Sequence, residues 1–238
     1  MLNEYNQGKL TFKLYGVEEG SLKEYEAYIS ANVSSSIFIE YSYFGDDCTL
    51  FLIKGEEASN ELFDRAVKAF IKTFNCFIYA NQEISLAENA VALLKVAGKR
   101  LCSAESFTGG SIAREIVLVP GASEVFFEGI VCYNTNSKIQ RLGVDPITVK
   151  NHTVVSREVA FEMVRGLIDS GNCDIAVATT GYASPTGDSS KPCGLCYIAV
   201  ANEQRAEVFR YNLKGERNQI IQKGTELALF QINKLLRG

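Results

Sequence analysis

Leu101-Cys-Ser-Ala-Glu-Ser-Phe-Thr-Gly-Gly-Ser111, Val119-Pro-Gly-Ala-Ser123 and Val131-Cys-Tyr-Asn-Thr-Asn-Ser-Lys138 form the stretch on which the reading of this chain turns. A short apolar run ending in Ser103-Ala-Glu-Ser106 breaks at Thr108-Gly-Gly110 and restarts as Ile112-Ala-Arg-Glu-Ile116. That pattern predicts a strand, a tight glycine turn and a helix start. The free N–H groups and positive dipole end of such a helix favour a phosphate or carboxylate, and paired glycines let a ligand approach the backbone. A turn without a ligand is the plainer alternative, because Gly-Gly before a helix is common turn chemistry.

Further along, Ser123 lies in a Pro-Gly-Ala-Ser turn, and the alternation from Val125 to Tyr133 predicts a strand leading to Lys138. A hydroxyl, a phenol and an amine can activate one another without histidine, since a desolvated lysine can act as the base for a serine. Each residue also has a plainer role: Ser123 as a helix cap, Tyr133 as a core aromatic and Lys138 as a solvated charge. His152, the single histidine, reads as a turn residue in Asn151-His152-Thr. Gly109-Gly110 lacks a following Gly-Lys-Ser/Thr, so no Walker-type loop is present, and no carboxylate cluster suggests a metal. No cofactor is expected.

The chain resembles a known family. Ala104-Glu-Ser-Phe-Thr-Gly-Gly110, Val119-Pro-Gly-Ala-Ser123, Gly129-Ile-Val-Cys-Tyr133, Lys138, Leu142-Gly-Val144, Val155-Ser156, Thr180-Gly181, Pro185, Lys191-Pro-Cys-Gly194 and Gly215-Glu-Arg217 fall in the order of the CinA C-terminal domain. The resemblance covers residues 86 to 238. It implies an amidohydrolase that converts nicotinamide mononucleotide to nicotinate mononucleotide and ammonia. Ser123 would be the catalytic serine, Lys138 its base and Tyr133 the supporting hydroxyl. Substrate contacts are expected from Glu105, Ser106, Thr108, Gly109, Gly110, Thr180, Gly181, Ser184, Lys191 and Arg217. A homo-oligomer acting on a small nucleotide is the implied assembly. For Lys138 to act as a base its pKa must fall from about 10.4 toward 7 to 8, which corresponds to about 4 kcal/mol of destabilised charge. Burial behind Ile130 to Cys132 is the available cause.

Two departures bear on the substrate. The chain reads Thr180-Gly-Tyr-Ala-Ser-Pro-Thr-Gly-Asp188 where family members carry Thr-Gly-Ile-Ala-Gly-Pro and glycines, so Tyr182 and Ser184 are bulkier and Asp188 adds a negative charge. Ile221 stands where a second basic residue often follows Arg217. The competing reading is therefore a catalytically weak or silent member that binds nucleotides or serves as an oligomeric interaction protein.

A net charge of −4 offers no general attraction to nucleic acid or an anionic membrane. The sequence contains no apolar run of about 18 residues and no basic-then-apolar leader, so a cytoplasmic protein is expected. The seven cysteines mostly sit in apolar runs, as small buried hydrophobes in a reducing compartment do. Cys193-Gly-Leu-Cys196 has redox spacing but no second pair for a zinc site.

Two domains are expected. In residues 1–84, after a loose start through residue 10, Thr11 to Tyr15, a helix capped at Ser21, Ile37 to Phe44, Thr49 to Ile53, a helix from Asn60 and Cys76 to Tyr79 follow as β-α-β-β-α-β. That is a split-βαβ, ferredoxin- or KH-like α+β domain; without a Gly-x-x-Gly clamp it reads as a linker or interface and not an RNA-binding module. It resembles the linker domain of longer CinA proteins, whose usual first domain would be absent. Residues 85–238 begin with a capping box at Ser85 and alternate helices with strands to a last helix from about Glu216, predicting an α/β three-layer sandwich. Loops beyond the carboxyl ends of its strands, including the long one after Thr180, are where a pocket is expected.

Overall fold

The structure is a computed structural model that describes residues 8–185 and 187–238. The expected loose start falls largely on residues 1–7, outside the described residues. The chain forms two compact units, Met1–Ser85 and Leu86–Gly238.

In the first unit, β1 (Lys9–Tyr15), β2 (Ile37–Phe44), β3 (Asp47–Lys54) and β4 (Ile78–Ala80) form an antiparallel sheet in the order β2-β3-β1-β4. Period-two alternation sends Leu10, Phe12, Leu14, Leu50 and Leu52 to one face. There they meet Leu22, Tyr25 and Ile29 of α1 (Glu19–Asn32) and Phe63, Ala66 and Phe70 of α2 (Asn60–Phe74). The capping box expected at Ser21 does not form: the N-cap of α1 is Glu18, three residues earlier, and it makes no side-chain cap bond. Ser59 does cap α2, accepting from the Leu62 N–H.

The second unit is a three-layer α/β sandwich. Its sheet runs β6 (Phe126–Val131), β5 (Leu101–Glu105), β7 (Ile175–Gly181), β8 (Leu195–Asn202) and β9 (Ala206–Asn212), parallel across β6-β5-β7 and antiparallel across β7-β8-β9. One face, lined by Cys102, Ala104, Ala176, Ala178, Ala199 and Ala201, is covered by α7 (Arg157–Asp169) through Val159, Met163 and Val164. Small strand residues let that helix lie close to the sheet. On the other face lie α3 (Leu86–Ala97), α4 (Ser111–Val117) and α8 (Arg217–Arg237). Buried Asn233 ties α8 to α3, accepting from Asn89 at 2.6 Å and donating to the Leu86 carbonyl at 2.9 Å. Short helices α5 (Thr135–Leu142) and α6 (Pro146–His152) follow β6.

Two glycines bring the site together. A methyl on Gly166 of α7 would overlap the Leu142 carbonyl at the end of α5, and one on Gly224 of α8 would overlap the Phe107 ring beside Ser106. The expected β5–turn–α4 unit is present, but its ligand is internal. Glu105, fully buried, accepts hydrogen bonds from the N–H groups of Gly110 (2.9 Å), Ile112 (3.1 Å) and Ala113 (2.8 Å). The carboxylate that the helix start favours is therefore the chain's own.

Replacing Glu105 with Ala leaves three N–H groups, one buried and two part-buried, without their acceptor. The expected loss is about 3 kcal/mol, from the penalty of about 1–3 kcal/mol for each unsatisfied group and partial relaxation; urea denaturation measures it. Thr153, between α6 and α7, is the one non-glycine residue with positive φ among those described (φ 68°, ψ 163°). That region is costly for a β-branched residue by about 1–3 kcal/mol. Thr153→Gly is expected to raise stability by about 1 kcal/mol once glycine's extra unfolded-state entropy is subtracted, read as a higher urea midpoint at unchanged slope.

Candidate active site

Ser106 is the first residue beyond β5, at the carboxyl end of a central parallel strand. Its N–H donates to the Thr179 carbonyl at 3.1 Å, which fixes the turn against β7. Lys138, on the first turns of α5, is 1% exposed. Its Nζ donates to Ser106 Oγ at 3.0 Å, to the Cys132 carbonyl at 2.7 Å and to the Tyr133 carbonyl at 3.4 Å. None of the carboxylates among the described residues pairs with it, and burial pushes its pKa below the ordinary 10.5, with the neighbouring Cys132 thiol opposing the shift. A lysine in contact only with carbonyls and a hydroxyl, and kept from water, favours the neutral amine.

This arrangement corrects the sequence reading of the serine. Ser123 is exposed in the short 3-10 turn Ala122–Glu124 before β6, whereas Lys138 follows the far end of that strand. Six strand residues separate the two ends by about 20 Å, so Ser123 cannot meet Lys138 of its own chain. The sequence did carry a signal for Ser106: a serine on a sharp strand-to-helix turn is a familiar way to present a nucleophile.

The other expected residues divide sharply. A cleft of about 210 Å³ is lined by Ser106, Phe107, Tyr133, Thr135, Lys138, Val154, Val155, Thr180, Gly181, Tyr182, Ala183 and Arg217. Of the site residues expected from the sequence, Ser106, Tyr133, Lys138, Thr180, Gly181 and Arg217 are in it; Val155 and Tyr182 stand in the sequence reading only as motif and departure positions, and Thr135 and Val154 were not expected there. Glu105, Gly109 and Gly110 are not substrate contacts: the carboxylate is consumed by the helix start, and the glycines adopt φ of 63° and 100° to make the turn. Thr108 is buried with its Oγ1 2.8 Å from Thr179 Oγ1, so it braces the turn instead of facing the cleft.

At the mouth, Arg217 Nη1 donates to Ser184 Oγ at 3.0 Å and Nη2 to the Tyr133 hydroxyl at 3.2 Å. Tyr133 is 62% exposed, no core aromatic, and its hydroxyl faces Arg217. Lys191 lies outside the cleft lining, paired with Asp188 at 2.9 Å; Lys191 and Ser190 lower the Asp188 pKa to about 2. The charge of Asp188 is thus offset locally. Cys193 is exposed while Cys196 is buried in β8 with its pKa raised to about 12 by burial, which removes the reactive thiolate that redox spacing would need. Among the described residues no group of three or more His, Cys, Asp or Glu could hold a metal ion, and no described helix is long and apolar enough to cross a membrane.

Comparison with known proteins places this site in a family. Residues 83–236 match the CinA C-terminal domain. A putative competence-damage inducible protein of Caldicellulosiruptor saccharolyticus is 32% identical over 241 residues, covering 99% of this chain and 59% of that protein. A CinA-like protein of Chlorobaculum tepidum is 38% identical over 171 residues, covering 69% of this chain and 40% of that protein. The chain therefore spans less than two thirds of either relative. Among solved structures, the competence/damage inducible protein CihA of Agrobacterium tumefaciens aligns with 29% identity and a TM-score of 0.62, over 64% of this chain and 94% of that one. A CinA superfamily protein of Klebsiella pneumoniae aligns with 27% identity and a TM-score of 0.61, over 64% of this chain and 96% of that one. The family match over the whole second unit, with relatives of this identity, makes the chain a member of the CinA family.

Proposed function

We propose that the chain is an amidohydrolase that deamidates nicotinamide mononucleotide, with Ser106 as nucleophile and Lys138 as its base. The observation that carries this reading is the 3.0 Å contact between Lys138 Nζ and Ser106 Oγ, buried and free of any carboxylate. Neutral Lys138 takes the hydroxyl proton as Ser106 Oγ adds to the carboxamide carbon. The ammonium so formed returns a proton to the leaving nitrogen, and ammonia departs as the acyl-serine forms. Water then adds to the acyl carbon, Lys138 again accepts and returns the proton, and nicotinate mononucleotide leaves with Ser106 restored.

The tetrahedral oxyanion needs donors. The N–H groups of Phe107 and Thr108 make no hydrogen bond within the described residues and directly follow Ser106, which suits them to that role. Arg217, with no carboxylate partner among the described residues, is suited to hold the substrate's phosphate at the mouth. Tyr133 orients that guanidinium and stands where a substrate passes. The cytoplasm is the proposed site of action.

A second reading, a silent nucleotide-binding member, is favoured by the bulk of Tyr182 in the cleft lining. One set of measurements separates the two. Ammonia release from nicotinamide mononucleotide is expected from the wild-type chain and to fall at least about 10³-fold in Ser106→Ala and in Lys138→Met. Binding without release supports the silent reading. A fluorophosphonate is expected to label the peptide bearing Ser106 and not the one bearing Ser123; the reverse labelling would sink the assignment. Because the amine must be neutral, kcat/KM rises with pH through the lowered Lys138 pKa to a plateau. The same shift links pH to stability. The unfolded chain binds the extra proton between the lowered pKa and 10.5, so stability rises with pH across that window and Lys138→Met removes this component.

A further inference from the structure

The Ser106–Lys138 cleft offers positive charge and no negative charge. Arg217 stands at its mouth, and none of the described residues that line it is a carboxylate. The substrate proposed above is more than an anion. Its phosphate is negative, but its ring nitrogen, bonded to ribose, makes a quaternary pyridinium with a permanent positive charge. Arg217 suits the first and repels the second. In a lining without an acid, the group that attracts a desolvated cation is the face of an aromatic ring.

Three aromatic side chains line the cleft. The Phe107 ring is 3% exposed and pressed against Gly224, where a methyl would stand 2.4 Å from it. Tyr133 is exposed, but its hydroxyl accepts from Arg217 Nη2 at 3.2 Å, so it already lies beside a cation. Tyr182 differs from both. It is half-buried, and among the described residues neither a ring nor a cation stacks on it. The charge of nearby Lys191 is offset by Asp188 at 2.9 Å.

The backbone under Tyr182 is fixed. Its N–H donates to the Leu195 carbonyl at 2.9 Å and its carbonyl accepts from the Gly194 N–H at 2.7 Å, which carries the β7–β8 pairing one residue past the end of β7. Period two then sets Tyr182 on the same side of the strand as Thr180, a cleft residue whose Oγ1 donates to the Val154 carbonyl at 2.9 Å. Gly181 between them turns to the other side, where a methyl would stand 2.5 Å from Cys196 Cβ.

We propose that Tyr182 is a specificity-determining residue of this cleft: its ring stacks on the substrate's pyridinium, so the chain selects an amide carried on a cationic ring over the same amide on a neutral one. The assignment rests on the nucleotide reading of the cleft, and it makes the bulk of Tyr182 a contact instead of an obstruction. The ring keeps its charge from substrate through acyl-serine to product. The contact therefore holds ground state and transition state alike, and its loss is felt in KM and not in kcat. It needs the aromatic face and not the hydroxyl, so phenylalanine can replace tyrosine.

Nicotinamide mononucleotide and its reduced, dihydropyridine form share the carboxamide, ribose and phosphate and differ in ring charge. Calorimetry on the Ser106→Ala chain, where turnover does not intervene, is expected to show the cationic form binding about tenfold tighter. In that background Tyr182→Ile is expected to bring the two affinities within about twofold, while Tyr182→Phe keeps the preference. Equal affinity for both forms before Tyr182 is changed, a preference that survives Tyr182→Ile or vanishes in Tyr182→Phe, or failure of both forms to bind overturns the proposal. With Ser106 intact, Tyr182→Ile is expected to raise KM for ammonia release about tenfold and to leave kcat within about threefold. A fall in kcat at unchanged KM, or release faster than from the wild-type chain, overturns it. If the wild-type chain releases no ammonia, the deamidase reading fails, while the ratio of the two affinities still decides what Tyr182 does.

Discussion

Four donors converge on the carboxylate of Glu105: the N–H groups of Gly110, Ile112 and Ala113, and the Ser103 hydroxyl at 3.3 Å. A buried carboxylate is tolerated only when its lone pairs are met in this way, and a helix start supplies donors already aligned and at positive potential. The turn between the carboxylate and those donors contains Ser106, so its path is closed into a short loop with both ends fixed. The Glu105 carbonyl, meanwhile, accepts from the Cys132 N–H, and the Cys132 carbonyl accepts from Lys138 Nζ. One residue therefore anchors the segment that carries the serine and the segment that carries the amine.

That anchoring explains how a lysine can be buried without an acid beside it. The cost of an ammonium in such a place is desolvation, and three oxygen acceptors from carbonyls and a hydroxyl do not repay it as a carboxylate would. Burial therefore lowers the Lys138 pKa below its ordinary value, toward the uncharged amine. Its fixed position then follows from packing: Gly166 lets α7 cross close to the end of α5, and Leu142 and Val144 seal that side in the same core cluster as Met163 and Val164. A solvated lysine on a surface helix would keep its charge and its freedom, and would be useless as a base.

Much of this was legible in the chain because local chemistry decides it. Helix starts near Asn60 and Glu216 are readable from the sequence, and both form, capped by Ser59 and by a Glu216–Gln219 box. Lys138 is buried, as the catalytic reading required and against its plainer reading as a solvated charge. The choice of serine was not legible, because it depends on which end of a parallel strand each loop leaves, a matter of topology and not of spacing. Ser123 and Lys138 flank β6 at opposite ends, whereas β5 and β6 run parallel and bring the residues after both strands to the same edge. The glycine turn misled for a related reason: an empty helix start and one filled from the preceding strand read alike until Glu105 is placed in space. Gly166 and Gly224 were silent, since a helical glycine reveals nothing about what presses against it.

The altered loop after Thr180 changes the site less than its sequence suggests. Asp188 engages Lys191 and Ser190 within its own turn, so a potential that would repel a phosphate is largely offset at its source. Ser184, bulkier than the glycine that family members carry, gives Arg217 an acceptor instead of obstructing it. A guanidinium held by two neutral hydroxyls is oriented yet keeps its full charge for an anion, unlike one committed to a carboxylate. The helix start that first looked like the anion site is closed by Glu105, and the guanidinium of Arg217 at the cleft's outer end is the group left suited to an anion. The inner end keeps Lys138, whose charged form burial disfavours, with Val154 and Val155 in the same lining.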